Sequence, residues 1–372
     1  MKITDVRARH LSLPQIAERC DGTQDTLIVE VVTDAGISGV GEVDTSPLVG
    51  KAAIEAPYSN SITSGLRELV VGEDPFAYER IWQKMYLGSR YSGRRGAFVH
   101  AMSGVDIALW DVMGKAVGSP VHRLLGGAMR RELRPYASTL FGSTLRATAD
   151  RAKWCMDQGF AAVKFGWDPL GQDPDYDVAL VEAIREAIGP KAELMIDAGH
   201  AWPTKTAIQM AERFRPFGLY WLEEPLLPDN VEGYARLATS TSTRIAAGEA
   251  ESNRVSYQDL MDRGRIDVVQ IDVTRVGGLS EAKKIAWAAY DRGREVVNHS
   301  FTTDINLAAS LHMLAVAPEA KWVEYCVEDS PLRRELVRNP PLQVDGMVRV
   351  PEGPGLGIEL DWETVERYTV RG

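Results

Sequence analysis

Three carboxylates recur at equal intervals in the second half of the chain. Asp197, Glu223 and Glu249 stand 26 residues apart, each closing a short apolar run (ELMID, YWLE, IAAGE). An interval of that size is one strand plus one helix, so the three acids fall at the C-terminal ends of neighbouring parallel strands. There they converge, and three packed anions repel strongly. A hard divalent cation removes that repulsion, and an all-oxygen set with open positions suits Mg²⁺. Any one of these acids alone reads as a helix cap or a loop charge; the equal spacing of three points to a metal.

Proton-transfer groups follow on the next runs. Asp272 closes DVVQID, and His299, 27 residues further on, follows EVVN. An Asp one strand from a His can hold the ring in one tautomer and raise its basicity. Lys164, read as the end of the second strand, can line the barrel with its stem and turn its ammonium toward the metal. Glu324 is read as the end of the eighth strand and completes the ring. The histidines His10, His100, His122 and His312 fall in the N-terminal strands or in helices and read as core or surface. Competing chemistries lack their motifs: there is no GxSxG, HExxH or GxxxxGK[ST].

These side chains need elements that present them. Residues 1–50 alternate in short runs, as a meander of antiparallel strands does. From about 52 to 125 the pattern turns helical, with apolar residues at spacings of three and four across 98–116. After about 133, short apolar runs alternate with amphipathic stretches. The expected strands are 134–138, 161–165, 193–197, 220–223, 245–249, 268–272, 295–298 and 322–324. Helical stretches at 146–157, 204–214, 280–291 and 305–315 lie between them. Eight such strands imply a parallel α/β barrel rather than an open sheet. Gly36, Gly39 and Gly41 sit between two strands and make no dinucleotide fingerprint.

Composition narrows the partners. The formal charge of −10 argues against nucleic acid and anionic membranes. Arg94-Arg95 and Arg130-Arg131 read as solvated surface charge. Cys20, Cys155 and Cys326 are too few and too widely spaced for a disulfide framework or a zinc ribbon. No run of about 18 apolar residues is present, and MKITDVRARHLSL lacks a leader's apolar core. The expectation is a cytoplasmic protein.

Six stretches together resemble the enolase superfamily, in its mandelate racemase and muconate-lactonizing branch. They are SGVDIALWDVMGKAVGSPVHRLLGG (103–127), LMIDAG (194–199), WLEEP (221–225), AAGE (246–249), DVVQIDVTRVGGLSE (267–281) and GPGLGIE (353–359). The resemblance covers nearly the whole chain. It implies a modified TIM barrel, (β/α)₇β, with an N-terminal α+β capping domain. The expected division is 1–130 for the cap, 131–330 for the barrel and its active site, and 331–372 for a segment folding back on the cap. It implies Mg²⁺ on Asp197, Glu223 and Glu249, with Glu224 a neighbouring structural acid. It also implies the dyad His299–Asp272, with Glu324 bonding a substrate carboxylate or enediolate oxygen. The chemistry implied is removal of the proton next to a carboxylate. A homo-oligomer is expected for a barrel of this kind.

Two departures from the family pattern shape the reaction expected. The second strand reads Lys164-Phe165-Gly166 where many relatives have Lys-x-Lys, and the first metal acid is followed by Gly199-His200 where many have Asn at the first of these positions. One clear base remains, His299, with Lys164 as an electrostatic clamp. That suits dehydration of a sugar acid, an aldonate or aldarate, to a 2-keto-3-deoxy acid. Trp167, His200, Arg275 and Asp304 are the expected substrate-wall residues, with cap segments near 15–24 and 42–46 adding specificity. The alternatives are an epimerase, racemase or lactone cycloisomerase with Lys164 as second base, and a catalytically silent binding protein. The intact set of acids and His299 argues against the last.

Overall fold

Alternating side chains in the first fifty residues build a three-stranded sheet. In the computed structural model, which describes residues 1–371, β1 (Ile3–Ser12), β2 (Asp25–Thr33) and β3 (Ser38–Val43) pair antiparallel in that order. Helices α1 (Pro47–Glu55), α2 (Leu66–Val70), α3 (Tyr78–Ser89), α4 (Ala97–Ala116) and α5 (Val121–Leu124) follow. α4 is apolar all round, and from Ala101 to Gly114 every residue is buried, as befits a helix covered on both sides. One side packs on β3, where a Cβ on Gly41 would stand 2.1 Å from the Gly104 carbonyl oxygen. The glycines of that run therefore serve close sheet–helix contact.

The barrel follows. Strands β4 (Glu132–Leu140), β5 (Ala162–Gly166), β6 (Glu193–Asp197), β7 (Leu219–Glu223), β8 (Arg244–Ala247), β9 (Val268–Ile271) and β10 (Glu295–Asn298) pair in parallel, each with the next. β11 (Trp322–Cys326) returns to pair in parallel with β4. Towards β10, a parallel bridge joins Val296 to Ala320, and the Glu324 N–H donates to the Asn298 side chain at 2.8 Å. Each strand from β4 to β10 is followed by one helix: α6 (Leu145–Asp157), α7 (Pro174–Ile188), α8 (Thr204–Phe214), α9 (Val231–Ser240), α10 (Arg254–Asp262), α11 (Leu279–Tyr290) and α12 (Asp304–Val316). The architecture is the (β/α)₇β barrel expected. All eight expected strands form, with ends moved by no more than two residues; β8 stops at Ala247 and β11 runs on to Cys326.

Cap and barrel meet at the glycine turn after β9. Asp106 of α4 accepts from the Ser280 N–H at 2.9 Å and its hydroxyl at 2.6 Å. Trp82 donates its indole N–H to the Gly277 carbonyl at 2.8 Å. Gly278 has φ +85, and a Cβ there would lie 2.3 Å from Asp106 Oδ2, so only glycine fits. This turn starts beside Asp272 and Arg275, so cap docking bears directly on the mouth of the barrel.

After β11 come α13 (Pro331–Arg334), the short strands β12 (Gln343–Val344) and β13 (Met347–Arg349), and α14 (Trp362–Tyr368). β13 pairs antiparallel with the start of β4, and Val370 donates its N–H to His10 of the cap at 2.9 Å. The segment thus touches both the base of the barrel and the cap. Among the described residues, no helix is long and apolar enough to cross a membrane.

Candidate active site

β6 and β7 end on the acids singled out by spacing, Asp197 and Glu223. Glu249 lies two residues past β8, carried back by Gly248, whose φ is +138. One oxygen from each of the three carboxylates lies within 4.8 Å of the others, and all three side chains are buried. Burial and then the neighbouring Glu223 push Asp197 well above the ordinary carboxylate range. Burial pushes Glu249 up to about 7, against the pull of His299. Glu249 Oε2 is buried without a hydrogen-bond donor and lies 3.4 Å from His299 Nε2. Among the described residues, Asp197, Glu223, Glu249, Asp272 and Glu324 share only Lys164 and Arg275 as permanent cations within 4.0 Å. A hard divalent cation fits this donor set and charge deficit.

The dyad forms beside this cluster. Asp272 and His299 stand immediately after β9 and β10. His299 Nδ1 lies 2.6 Å from Asp272 Oδ2. Asp272 Oδ1 accepts from the Thr274 N–H at 2.7 Å and its hydroxyl at 2.5 Å, so the carboxylate cannot rotate away. Nε2 is then the ring nitrogen that faces the acids and the cavity. Burial opposes charge on this ring, but Glu249 and Glu324 outweigh it and raise His299 to about 10. A cation held by Glu249 would offset the largest of those upward pulls and return the ring toward a neutral base.

Lys164 and Glu324 take places different from the strand ends expected for them. Lys164 lies in the middle of β5, 3% exposed. Its Nζ is 2.5 Å from Glu223 Oε1 and 2.8 Å from Glu324 Oε1. Burial opposes its charge, but these carboxylates hold the ammonium well above its ordinary pKa. Glu324 lies mid-strand in β11 with both oxygens engaged. Oε1 also accepts from Ser138 at 2.7 Å, and Oε2 accepts from the Ser300 N–H at 2.6 Å. Its visible contacts hold Lys164 and the loop after His299.

One cavity opens over these groups, bounded by Lys164, Asp197, Glu249 and His299 below and by Cys20, Gly22 and Asp44 of the cap above. Both cap segments expected to matter therefore reach it. Trp167, His200 and Arg275 also line it. Arg275 spans the domains, with Nη2 2.7 Å from Asp44 and Nη1 3.4 Å from Glu249. Asp304 corrects the expected wall. It starts α12, and its carboxylate turns inward to the buried Arg333, 2.7 Å away. Sequence reading missed Asp44, Thr139 and Phe301, which also line the cavity. Asp44 lies inside the flagged segment 42–46, and its charge was the available signal. Nothing in the sequence marked the other two.

Comparison with known proteins gives the same picture. Residues 2–126 match the family described as mandelate racemase / muconate lactonizing enzyme, N-terminal domain, and 147–365 match enolase C-terminal domain-like. A D-galactarolactone cycloisomerase from Agrobacterium fabrum is 34% identical over 99% of both chains. A D-xylonate dehydratase from Haloferax volcanii is 30% identical over 95% of this chain and 87% of its own. The solved 3,6-anhydro-D-galactonate cycloisomerase from Zobellia galactanivorans superposes with a TM-score of 0.91, at 32% identity and full coverage of both chains. Further curated relatives are dehydratases of arabinonate, D-gluconate, L-rhamnonate and D-galactonate. A racemase structure from Streptomyces coelicolor A3(2) holds bound magnesium.

Proposed function

We propose, from the premise that this chain belongs to the mandelate racemase / muconate lactonizing enzyme family, that it dehydrates a sugar acid to a 2-keto-3-deoxy acid. The observation that carries the reading is the His299–Asp272 pair set against three converging carboxylates, with His299, Asp197 and Glu249 lining one cavity. The number of dehydratases among the relatives supports water loss as the outcome.

Asp197, Glu223 and Glu249 would hold Mg²⁺, which when bound neutralises negative charge building on the substrate carboxylate. The chain's own residues do the rest. Asp272 keeps the His299 proton on Nδ1, so Nε2 accepts the α-proton. Lys164, fixed between Glu223 and Glu324, supplies positive charge rather than a free base. The cap segment bearing Cys20 and Gly22 roofs the cavity and limits water. A cytoplasmic homo-oligomer acting on a free small-molecule acid, with no nucleic-acid or membrane partner, goes with this reading.

The test is a panel of aldonates and aldarates in D₂O with Mg²⁺, read for α-proton exchange and for keto-acid product. Wild type should give both on at least one acid. His299→Asn should lose both by about 10²–10⁴-fold, the usual contribution of a positioned acid/base. No reaction across the panel would defeat the reading. The two cycloisomerase relatives favour a second one, in which the same proton abstraction serves a cyclic sugar acid, a lactone or an anhydro acid. Turnover of a sugar lactone or anhydro acid, with no reaction of any open-chain aldonate or aldarate, would select it.

A further inference from the structure

The side of the cavity away from the three acids differs in chemistry from the side that holds them. Counting from β4, Asp197, Glu223 and Glu249 belong to the third, fourth and fifth barrel strands. In a ring of eight, the seventh, eighth and first strands stand across the mouth from these. That side supplies His299 and, beyond it, Ser138, Thr139 and Leu140 of β4 and Phe301 after β10, with Cys20 and Gly22 of the cap above. Past His299, none of these is an acidic or basic residue. The other charged groups of the lining follow the second to sixth strands or, like Asp44, pair with one that does.

The hydroxyls of this far wall are already committed. Thr139 donates to Glu328 Oε1 at 2.6 Å and accepts from Arg151 Nε at 2.9 Å. Ser138 donates to Glu324 Oε1 at 2.7 Å. A thiol such as that of Cys20 is only a weak donor. What remains to meet a ligand is the apolar surface of Leu140 and Phe301. The two arginines nearest the wall are also engaged. Arg151 donates to the Val327 carbonyl at 2.9 Å, stands 3.3 Å from Glu328 and lies over the Trp154 ring. Arg19, beside Cys20, pairs with Asp21 and Glu328.

A substrate carboxylate at the three acids, with its α-carbon in reach of His299 Nε2, sends the rest of the molecule across the cavity to this wall. The cap loop rests on it there. A Cβ on Gly22 would lie 2.8 Å from the Phe301 carbonyl oxygen, and the Thr23 carbonyl accepts from Ser330 at 2.7 Å. A second carboxylate at the wall would lose water without gaining a cation. A hydroxyl there would lose water for few partners. A methyl group or a ring ether would be covered at little polar cost.

We infer that the site takes an acid with one carboxylate, whose opposite end is an uncharged, apolar group seated on Leu140 and Phe301, and that it selects against diacids. This rests on the reading above in one respect, the placing of the substrate carboxylate at Asp197, Glu223 and Glu249 through Mg²⁺.

The probes are three acids of one configuration, the one that the panel favours by turnover or by binding, ending in CH₃, CH₂OH or COO⁻. Two quantities are measured with Mg²⁺ present: kcat/KM of wild type, and calorimetric affinity for His299→Asn, which lacks the base. Both should fall in the order CH₃, CH₂OH, COO⁻, by about 10-fold at the first step and about 10²-fold between the ends. Leu140→Arg should raise the diacid relative to the methyl acid by about 10-fold or more, since a guanidinium pairs with a carboxylate. If that variant fails to fold, Phe301→Lys brings a charge to the wall from the other strand. Either polar end matching the methyl in wild type would overturn the inference, as would a folded charge variant that keeps the wild-type ratios. Binding in the expected order without turnover of any acid would defeat the dehydration reading and leave this inference standing. Binding of none would defeat both.

Discussion

Arg275 of the barrel and Asp44 of the cap form an ion pair 2.7 Å long, and the same guanidinium stands 3.4 Å from Glu249. Asp44 thus holds part of a positive charge that would otherwise settle on the Glu249 carboxylate. Asp44→Asn should leave Arg275 to Glu249 and Asp272 and weaken Mg²⁺ binding by about 10-fold, the low end for groups behind a ligand. Melting temperature without metal should barely move, since the pair is partly exposed and such pairs contribute about 0–1 kcal/mol. Calorimetric titration with Mg²⁺ checks this; unchanged affinity would show that the pair serves only to dock the cap.

Gly166 stands in register with Asp197, and a Cβ at 166 would lie 2.8 Å from Asp197 Cβ and 3.0 Å from its Oδ2. The missing second lysine of this strand therefore leaves space that Asp197 occupies. Gly166→Ala should displace the carboxylate and lower Mg²⁺ affinity about 10–100-fold, as changes beside a ligand do. Asp197 Cβ moves only with its backbone, so β5 or β6 must also shift slightly and some stability should be lost with the affinity. Equal Mg²⁺ titrations for variant and wild type would show that Asp197 moves aside at no cost.

The register of acids was legible because parallel strands joined by helices space their ends almost evenly. Asp197 and Glu223 end their strands, and Glu249 rejoins them through the turn at Gly248 although β8 stops early. Lys164 and Glu324 were harder. Strands buried on both faces show no alternation, so nothing in AVKFG or WVEYC says which residue points at its neighbours' carboxylates. Asp304 misled because closeness in sequence to His299 is not closeness to the cavity once α12 turns the side chain inward. Asp44 and Arg275 meet only when cap and barrel dock, and no local pattern carries that information.

The buried Asp304–Arg333 pair makes the correction testable. Arg333 is 1% exposed, donates its Nε to the Cys326 carbonyl at 2.8 Å and sits over the Tyr325 ring. Asp304→Asn leaves that guanidinium buried without a countercharge and should cost about 3–5 kcal/mol of stability. Replacing both, with Asp304→Leu and Arg333→Met, should recover most of the loss. Below the melting transition kcat/KM should stay at wild type. A selective loss of activity in Asp304→Asn would return this residue to the substrate wall.

His312 offers a clean reading of pH against stability. Its ring is fully buried, with Nε2 3.1 Å from the Leu356 carbonyl and Nδ1 accepting from the His122 N–H at 3.2 Å. That pattern fixes the neutral ring with its proton on Nε2. Burial lowers its pKa to about 3, from an ordinary value of 6.5. The folded chain therefore binds fewer protons than the unfolded chain between those values. The stability tied to the neutral ring is complete above about pH 6.5 and is lost as pH falls toward 3, at up to about 1.4 kcal/mol per pH unit. Other groups also titrate in that window, so the informative quantity is the gap in stability between wild type and His312→Gln. It should be widest near pH 7.5, where wild type has all of this contribution, and should narrow steadily from pH 6.5 to 4. Chemical denaturation across that range measures it, and a gap that stays constant with pH would mean that the ring takes up a proton without leaving its place.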